Sequence, residues 1–333
     1  MTAVGSAPAD AEFVSRTQSF RRELLAHCYR MLGSVDEAED LVQDTYLRAW
    51  RSYAGFEGRS SIRVWLYRIA TNVCLSAIER RRERRWLPSG LGPAAEDARS
   101  PPVAAGSEVS WLQPIPDALL TAASEDPATI VARRESLRLA LIASLQYLPG
   151  RQRAVLLLRD VLDFPAAEVA QMLDTSVPAV KSALQRARTR LEEQTPAFDD
   201  ITTLTEPEQE TVLQRYIAAF ENADAAAFER LLRVDAALEF PPAATWFAGR
   251  ATCVPCLART VGEPGDWRMF PTTANGQPAA VSYLRAADGV YHAYGVGVHT
   301  VAPDGIARIT AFGDPALARR FAMPLTFATG GRS

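Results

Sequence analysis

The stretch 165-PAAEVAQMLDTSVPAVKSALQRARTRL-191 predicts two short helices joined by a tight turn. Pro165 suits the start of a helix, where its missing N–H costs little. Asp174 suits the turn, because Asp tolerates left-handed backbone geometry. The second helix repeats apolar residues at helical spacing. These residues are Val180, Leu184, Ala187 and Leu191. The stretch is therefore interpreted as a helix-turn-helix.

The opposite face of the second helix is polar and basic. A DNA-recognition helix needs this division, because apolar residues hold it on its scaffold while polar residues reach base edges and phosphates. A bidentate contact from Gln185 or Arg186 would be worth about 1–3 kcal/mol of base discrimination. The candidate major-groove residues are Ser176, Pro178, Lys181, Ser182, Gln185, Arg186 and Arg188.

Length and composition are those of a globular protein with two or three domains. The chain has 333 residues, of which 48% are hydrophobic and 23% are charged. The net charge of −3 hides an asymmetry, since residues 1–195 hold 25 Lys+Arg against 24 Asp+Glu and residues 196–333 hold 11 against 15. Cations cluster in 79-ERRRERR-85 and in the second helix. Local basic stripes decide nucleic-acid binding, so the net charge does not exclude it.

Membrane, disulfide and metal classes are disfavoured. No apolar run approaches the ~20 residues that cross a bilayer, and the N-terminus is a poor signal peptide, so we expect a cytoplasmic location. Four cysteines are too few for a disulfide framework. Cys253-Val-Pro-Cys256 has metal-like spacing without two further ligands, so buried thiols are favoured over a zinc or redox site. We expect no metal and no cofactor.

Hydrophobic periodicity predicts helices over residues 12–86 and again over 128–194. The first part contains a helix over 20–33, a helix over 35–53 capped by Ser34, a loop over 54–61 and a long helix from 62 to 85. The second part begins with a helix over 129–150, whose apolar stripe runs through Val131, Leu137, Leu141 and Leu145.

Two other segments differ in character. Residues 87–127 are rich in Pro, Gly, Ala and Ser, which predicts a flexible linker interrupted by the apolar island 111-WLQPIPDALL-120. Residues 207–325 begin with a predicted helical hairpin over 208–232. Strands follow over 279–285, 290–300 and 306–312, joined by hairpin signals. This order predicts an α+β domain with a curved antiparallel sheet and helices on one side.

Residues 12–194 resemble an extracytoplasmic-function sigma factor of the sigma-70 family. The resemblance rests on 38-AEDLVQDTYLRAW-50, on 56-FEGRSSIRVWLYRIATNVCLSAIERRRER-84 and on the helix-turn-helix preceded by 148-LPGRQRAVLLLRD-160, in this order. It implies two all-α domains, region two over 12–86 and region four over 128–194. It also implies binding to core RNA polymerase, through its β′ clamp and β flap, and to the −10 and −35 promoter elements.

The resemblance places the polymerase contact on the helix over 35–53. Acidic and amide groups alternate there with large apolar ones, which suits an interface that must be both adhesive and oriented. A solvated helix with a core face is the alternative. The residues implied to grip the coiled coil of the β′ clamp are Asp40, Leu41, Gln43, Asp44, Leu47 and Trp50.

The −10 element is assigned by the same resemblance to the loop from Phe56 and the helix from Ile62. Holding a melted strand requires a small polar pocket, cations and aromatic faces. Trp65 could instead be a core residue, because it repeats at helical spacing with Ile69 and Val73, and a solvated charge run is the alternative for the arginines. The candidates are Phe56, Gly58, Arg59, Ser60, Ser61, Arg63, Trp65, Arg68, Asn72, Arg80, Arg81 and Arg82.

Two features depart from the simplest family pattern. Asp174 stands where family members often have Gly, which could alter how the second helix enters the groove. The linker runs through the RNA exit path of polymerase in related sigma factors, but here it is long. Its apolar island, with Trp111 and Pro114, could dock inside polymerase or on the third domain.

Residues 207–325 resemble a SnoaL-like domain, the cone-shaped fold of polyketide cyclases. The resemblance rests on two helices, then Glu239-Phe240-Pro241-Pro242, then 245-TWFAGRATCVPCL-257, then strands. Enzymes of that fold use an Asp/His pair as acid and base. The corresponding candidates here are Glu239 and His292, with Trp246 and Tyr283 as pocket wall. We expect an intramolecular regulatory domain rather than catalysis, with small-ligand sensing as an alternative.

Three functions therefore compete. A promoter-specificity subunit with an attached regulator would bind promoters strongly only together with core polymerase. A stand-alone helix-turn-helix repressor would dimerise and bind a palindrome by itself. An enzyme tethered to DNA would turn over a cyclic substrate. The acidic clamp-type helix and the melting loop favour the first, since a repressor needs neither.

Overall fold

The computed structural model describes residues 7–81, 84–120, 135–194 and 204–328. The chain divides into two units, Met1–Arg85 with Leu119–Thr195, and Trp86–Ala118 with Pro196–Ser333. Arg82, Val131 and the start of the predicted helix over 129–150 lie outside the described residues.

The first half of the first unit contains four helices, α1 (Ala7–Thr17), α2 (Arg21–Leu32), α3 (Val35–Ser52) and α4 (Ile62–Arg81). Gly33 ends α2 in the left-handed conformation, with φ of 70°. Ser34 then caps α3, because its side chain accepts a hydrogen bond from the Glu37 N–H. These boundaries follow the predicted ones closely.

The second half contains α5 (Leu139–Leu145), α6 (Gly150–Leu156), α7 (Ala166–Met172) and α8 (Val177–Gln194), with a π-helical turn at Leu157–Val161. Asp174 has φ of 49°, so the left-handed geometry inferred for the turn is present. The prediction of one helix up to residue 150 is wrong within the described residues. The Ser136 carbonyl and hydroxyl accept hydrogen bonds from Arg30 at 3.2 and 2.7 Å, and the backbone turns there.

A curved sheet forms the second unit. Its strands are β1 (Leu232–Glu239), β2 (Trp246–Ala248), β3 (Trp267–Ala274), β4 (Gln277–Arg285), β5 (Val290–Ala302), β6 (Gly305–Phe312) and β7 (Thr326–Ala328). Their order is β2-β1-β6-β5-β4-β3, and β7 pairs with β5. Only the β1–β6 pair is parallel among these described strands. Register shifts between Ser282 and Tyr283 and between Thr300 and Val301 increase the curvature.

Helices α9 (Glu206–Glu221), α10 (Ala225–Leu231) and α11 (Arg250–Thr260) pack on this sheet, and α12 (Leu317–Arg320) follows β6. Their core is aromatic, with Phe220 edge-to-face on Phe228 and on Trp267. This is the predicted α+β architecture, and the three predicted strands, now β4, β5 and β6, begin and end within two residues of their predicted positions.

The segment 86–118 belongs to the second unit rather than forming a flexible linker. Two short strands, Arg85–Trp86 and Ser110–Trp111, lie near its ends. The Leu112 N–H donates to the Trp86 carbonyl at 3.0 Å, so the segment closes on itself. Composition predicted flexibility because small residues and prolines do not form a core alone, but this segment shares the core of another domain.

The apolar island docks on the third domain, one of its two predicted sites. Leu112 and Ile115 are fully buried. The Ile115 N–H donates to Asn275 Oδ1 at 3.0 Å, and the Asn275 N–H donates to the Ile115 carbonyl at 3.0 Å. The Gly276 N–H donates to Asp117 Oδ1 at 2.8 Å. The turn between β3 and β4 therefore binds the island through its backbone and side chains.

Two further contacts hold the rest of the segment. The Ala95 N–H donates to the Trp246 carbonyl, and Trp246 Nε1 donates to the Gly92 carbonyl. The Val103 N–H donates to Thr245 Oγ1 at 2.8 Å, and the Val103 carbonyl accepts from the Ala244 N–H. The segment thus runs along β2 and the loop before it.

Replacing Asn275 tests whether the island is held as described. Asn275→Gly removes the acceptor of the Ile115 N–H while suiting the left-handed φ of 57°. Losing one buried hydrogen bond, about 1.4 kcal/mol, predicts roughly tenfold faster amide exchange over residues 112–118. Hydrogen-exchange mass spectrometry measures this. Asn275→Asp keeps an oxygen at that place and serves as the control; equal exchange in both variants would contradict the assignment.

Candidate functional site

The outer face of α8 is exposed in the predicted pattern. Val180 and Ala187 are buried, and Leu184 and Leu191 are half-buried. Ser176 caps the helix, since its Oγ accepts a hydrogen bond from the Ala179 N–H at 3.3 Å. The exposed candidates are Ser176, Pro178, Lys181, Ser182, Gln185 and Arg186. Their side chains form one continuous polar surface at the start and middle of the helix.

Arg188 differs from the other candidates on α8. Its Nε and Nη2 donate to the two carboxylate oxygens of Asp160 at 2.9 and 2.8 Å. This bidentate hydrogen bond raises the pKa of Arg188. Arg188 therefore holds α8 against the π-helical turn, and it reaches a phosphate only if that pair opens. Sequence periodicity could not show this, because Asp160 is 28 residues away.

An aromatic cluster stands where the loop from Phe56 meets α4. The Phe56 and Trp65 rings lie 4.8 Å apart between centroids, and Tyr53 lies 6.3 Å from Trp65. All three side chains are half-buried. Trp65 is thus neither a core residue nor freely solvated, and it presents part of its ring beside the loop. Tyr53 was missed by sequence reasoning, although its position at the end of α3 was a usable signal.

The loop itself is polar and exposed. Gly58 has φ of 70°, which requires a residue without a Cβ clash. Arg59 pairs with Glu57 at 2.8 Å on the surface. Ser61 starts α4, because its Oγ accepts from the Val64 N–H at 3.2 Å, and Ser60 is half-buried. The loop therefore brings small side chains and one cation next to the aromatic cluster.

Two predicted −10 residues on α4 are engaged by the helix-turn-helix half of the same unit. The Arg63 guanidinium lies 4.6 Å from the Phe164 ring centroid and pairs with Glu23 at 3.1 Å. Asn72 Nδ2 donates to the Met172 carbonyl at 3.4 Å. Arg68 between them is exposed. The face of α4 that carries these residues is consequently covered in part.

Arg80 and Arg81 lie at the end of α4. Arg80 Nε donates to the Ser76 carbonyl at 3.2 Å, and Arg81 pairs with Glu37. Together with Asp40 and Leu41 they line a cavity of about 190 Å³ between α3 and α4. Both arginines are exposed, so this end of the helix presents cations to solvent.

The outer face of α3 combines apolar and acidic groups. Leu47 is 52% exposed and Trp50 is 48% exposed, which is unusual for large hydrophobic residues one helical turn apart. Asp40 and Gln43 are exposed, while Leu41 and Asp44 are half-buried. Asp44 pairs with Arg48 at 2.9 Å, and Trp50 Nε1 donates to Asp10. This surface suits binding to another protein.

A buried arginine holds the two halves of the first unit together. Arg153 donates to the carbonyls of Met31, Gln146 and Leu148 and to Gln146 Oε1. Burial lowers its pKa to about 10, so it remains charged at neutral pH. The Met31 carbonyl belongs to α2 and the other acceptors precede α6. The contact therefore joins the two helical halves of the first unit.

The four pocket candidates of the C-terminal domain do not converge. Glu239 is fully buried and pairs with Arg308 at 2.9 Å. Tyr283 packs on Phe327 and donates to the Pro324 carbonyl. His292 is exposed, because its side chain points outward next to buried Tyr291. Trp246 binds the Gly92 carbonyl. These contacts give Glu239 and His292 no shared acid–base site.

Cys253 and Cys256 are buried thiols on α11. Cys253 Sγ donates to the Ala236 carbonyl at 3.4 Å. Burial raises the pKa of Cys253 to about 12 and that of Cys256 to about 11, which disfavours thiolate chemistry. Within the described residues no group of three potential ligands could hold a metal. In the same residues no helix is long and apolar enough to span a membrane.

Family models match both helical regions. Residues 17–84 match sigma-70 region 2, and residues 138–191 match sigma-70 region 4. The ECF RNA polymerase sigma factor SigG of Mycobacterium tuberculosis is 48% identical over 326 residues, 96% of this chain and 87% of the relative. The chain belongs to the ECF sigma factors. It binds core RNA polymerase, recognises −10 and −35 promoter elements and initiates transcription.

Other relatives cover different parts of this sigma factor. SigW of Bacillus subtilis is 26% identical over 184 residues, 55% of this chain and 88% of the relative. The crystal structure of SigJ from Mycobacterium tuberculosis has a TM-score of 0.60 at 23% identity, covering 94% of this chain and 99% of that one. The SigJ likeness supports the whole fold, helical sigma domains followed by a SnoaL-like α+β domain.

Removing the Arg153 guanidinium should loosen the joint between regions two and four. Arg153→Met leaves buried carbonyls without their donor, at a cost of about 3 kcal/mol. Exchange of the α2 and α6 amides should rise roughly 100-fold, measured by hydrogen-exchange mass spectrometry. Arg151→Met, at an exposed position three-fifths of a turn away, is the matched control. Unchanged exchange in Arg153→Met would show that the buried arginine does not hold this joint.

Proposed function

We propose that α3 carries the polymerase contact of this sigma factor and binds the coiled coil of the β′ clamp. The exposed pair Leu47 and Trp50 supports this, since water-exposed apolar residues beside carboxylates suit a protein interface. Asp40, Gln43 and Asp44 would orient it. Region four would contact the β flap. The proposed domains are region two over 12–86, region four over 128–194 and the SnoaL-like domain over 207–325, in a cytoplasmic protein.

Region two would read the −10 element through the aromatic cluster and its loop. An extruded base can stack on a half-exposed ring, and each such stack is worth about 1–3 kcal/mol. Gly58, Ser60 and Ser61 leave space for the base beside Trp65. The exposed arginines at the end of α4 would bind phosphates. The −35 element would be read by the exposed face of α8, with Gln185 and Arg186 at base edges.

The arrangement of the first unit supports an additional step before promoter binding. Elements centred at −10 and −35 are about 25 base pairs apart, or about 85 Å at 3.4 Å per base pair. Asn72 on α4 is hydrogen-bonded to the Met172 carbonyl of α7, so the two readers touch. Two DNA-binding surfaces that contact each other cannot bind the −10 and −35 elements at the same time. Regions two and four must therefore separate, which breaks the Arg63, Asn72 and Arg153 contacts.

The docked segment 86–118 would restrain that separation. About 50 residues connect the described ends of regions two and four, an extended reach of about 165 Å. When the segment is docked, the Leu112–Trp86 hydrogen bond closes it and residues 87–111 add no length. Residues 112–135 then supply about 80 Å even when fully extended, which is short of the about 85 Å between the elements. We infer that the C-terminal domain tunes sigma activity by holding this segment, and that the docked state is the less active one.

The family match disfavours the stand-alone repressor, which the sequence pattern alone left open. It would bind a palindrome as a dimer without polymerase. Run-off transcription with core polymerase separates the two. A transcript that requires both this protein and polymerase supports the sigma factor function. Binding to an operator by the protein alone would support the repressor function.

Introducing or reversing a charge on the outer face of α3 should weaken the polymerase contact. Leu47→Asp places a carboxylate in an interface that buries apolar surface, and should lower run-off transcription at least tenfold. Asp44→Arg should act in the same direction. Val234→Asp, at another exposed apolar residue, is the control that should leave transcription unchanged. Full activity of Leu47→Asp, with the Val234→Asp control also active, would remove α3 from the interface.

An engineered disulfide that holds segment 86–118 on the domain should test whether docking restrains the separation of regions two and four. Ala104 and Ala243 are antiparallel bridge partners, so Ala104→Cys with Ala243→Cys can form a disulfide. We expect run-off transcription to fall at least tenfold on oxidation and to recover with dithiothreitol. Ala104→Cys alone should respond to neither treatment. Equal activity of the locked and reduced protein would contradict inhibition by docking.

A further inference from the structure

A cavity of about 480 Å³ lies between the C-terminal domain and the docked segment. The domain supplies its floor through Phe240, Phe247, Tyr294 and Ala311. The segment supplies another wall through the small residues Ala98, Ser100, Pro102 and Ala104. The volume is that of a small-molecule site, which is usually 300–1,000 Å³ and mostly apolar with few polar groups.

The residues around this cavity define the chemistry of its occupant. The Phe240 and Phe247 rings meet edge-to-face at 6.4 Å, and Tyr294 is edge-to-face with Trp267 at 5.0 Å. Aromatic walls of this kind favour a flat apolar molecule. Among the described lining residues Arg259 is the charged one, and no carboxylate lines the cavity. The guanidinium can therefore attract an anionic group of the ligand, because no carboxylate of the cavity wall competes for it.

Arg259 also links the cavity to the docked segment. Its Nη1 donates to the Ala98 carbonyl at 3.0 Å. A guanidinium has five N–H donors, so it can hold this carbonyl and a carboxylate together. An occupant of the cavity would touch the floor, the Arg259 head group and the segment at once. Its contacts would exist in full only while the segment is docked.

We propose that this cavity binds a flat aromatic carboxylate, and that binding stabilises the docked segment. The site differs from the Glu239, Trp246, Tyr283 and His292 set expected from the sequence. Because a ligand shifts an equilibrium toward the state it binds better, occupancy favours the docked state by the factor 1 + [L]/Kd. The consequence for transcription rests on the proposed function, in which the docked state is the less active one.

The probe is 1-pyrenebutyrate, with 1-pyrenebutanol as its neutral counterpart, titrated against the full chain by fluorescence. We expect the acid to bind at least tenfold more tightly than the alcohol. Arg259→Met should abolish that preference and leave alcohol binding intact. Ala311→Leu, which fills the floor, should weaken both at least tenfold. Equal binding of acid and alcohol, or normal binding to Ala311→Leu, overturns the assignment.

Cys256 lines the same cavity and reports where the probe sits. The acid should slow the reaction of the Cys256 thiol with methylmercury, which does not require prior ionisation of the thiol. The reaction of a cysteine introduced by Ser107→Cys, at an exposed position outside the cavity, should be unchanged. If the Ala311→Leu variant fails to fold, this protection in the unaltered chain still decides the location. Absence of protection at saturating acid overturns the site.

Amide exchange over residues 95–104 tests the coupling. At ten times Kd, exchange through undocking should slow about 11-fold. Unchanged or faster exchange overturns the stabilisation. Run-off transcription separates the two proposals. Suppose the probe binds, protects Cys256 and slows amide exchange, but does not lower transcription. That result contradicts the inhibitory role of docking and leaves the assignment of the binding site intact.

Discussion

The structure of the second unit depends on a complete set of hydrogen-bond and ion-pair partners for the buried carboxylate of Glu239. It is fully buried and pairs with Arg308 at 2.9 Å, while Thr310 Oγ1 donates to its other oxygen at 2.9 Å. A further donor is the Ser89 N–H, at 3.1 Å, from the docked segment, 150 residues before Glu239 in the chain. A buried charge is tolerated only when its partners are complete. The docked segment thus completes a network that the domain alone would leave one donor short.

This dependence explains why docking is specific. Apolar contacts from Leu112 and Ile115 contribute to docking, because burial of such side chains is worth about 1.5–3 kcal/mol each. Apolar contact is non-directional, however, and would allow the segment to slide. The Ser89 N–H at Glu239 and the Asn275 pair at Ile115 fix the register at both ends. The carboxylate and the amide therefore select one position of the segment.

The sequence predicted what depends on local periodicity and turn chemistry. The helix-turn-helix, its Asp174 turn, the Ser34 cap and the hairpin strands all follow from neighbouring residues. Features that depend on distant partners could not be predicted in this way. The helix expected up to residue 150 is interrupted because Arg30 binds the Ser136 carbonyl, 106 residues away. Segment 86–118 is ordered by a domain that follows it in the chain.

The candidate site shows the same division. Exposure of α8 and of Leu47 and Trp50 was predictable from pattern, because one face of each helix had to be buried. The ion pair of Arg188 with Asp160 and the cover over Arg63 and Asn72 were not, since they arise from packing between halves of the unit. Glu239 and His292 were joined by analogy with enzymes of the fold. The structure gives Glu239 a structural role in the ion pair and leaves His292 exposed.

Two sets of contacts in this chain restrain the separation of regions two and four. The first is the contact of region four with α2 through Arg153 and with α4 through Arg63 and Asn72. The second is the docking of segment 86–118. Each consists of a few buried hydrogen bonds and apolar side chains, so each is worth several kcal/mol at most. In the proposed function, polymerase and promoter must together offset the free energy of both sets of contacts to separate the two DNA-reading surfaces by about 85 Å. Because the terms add, anything that strengthens docking raises the polymerase concentration needed for opening. On that proposal, a small change in the C-terminal domain alters the availability of a promoter-reading surface that the domain need not touch.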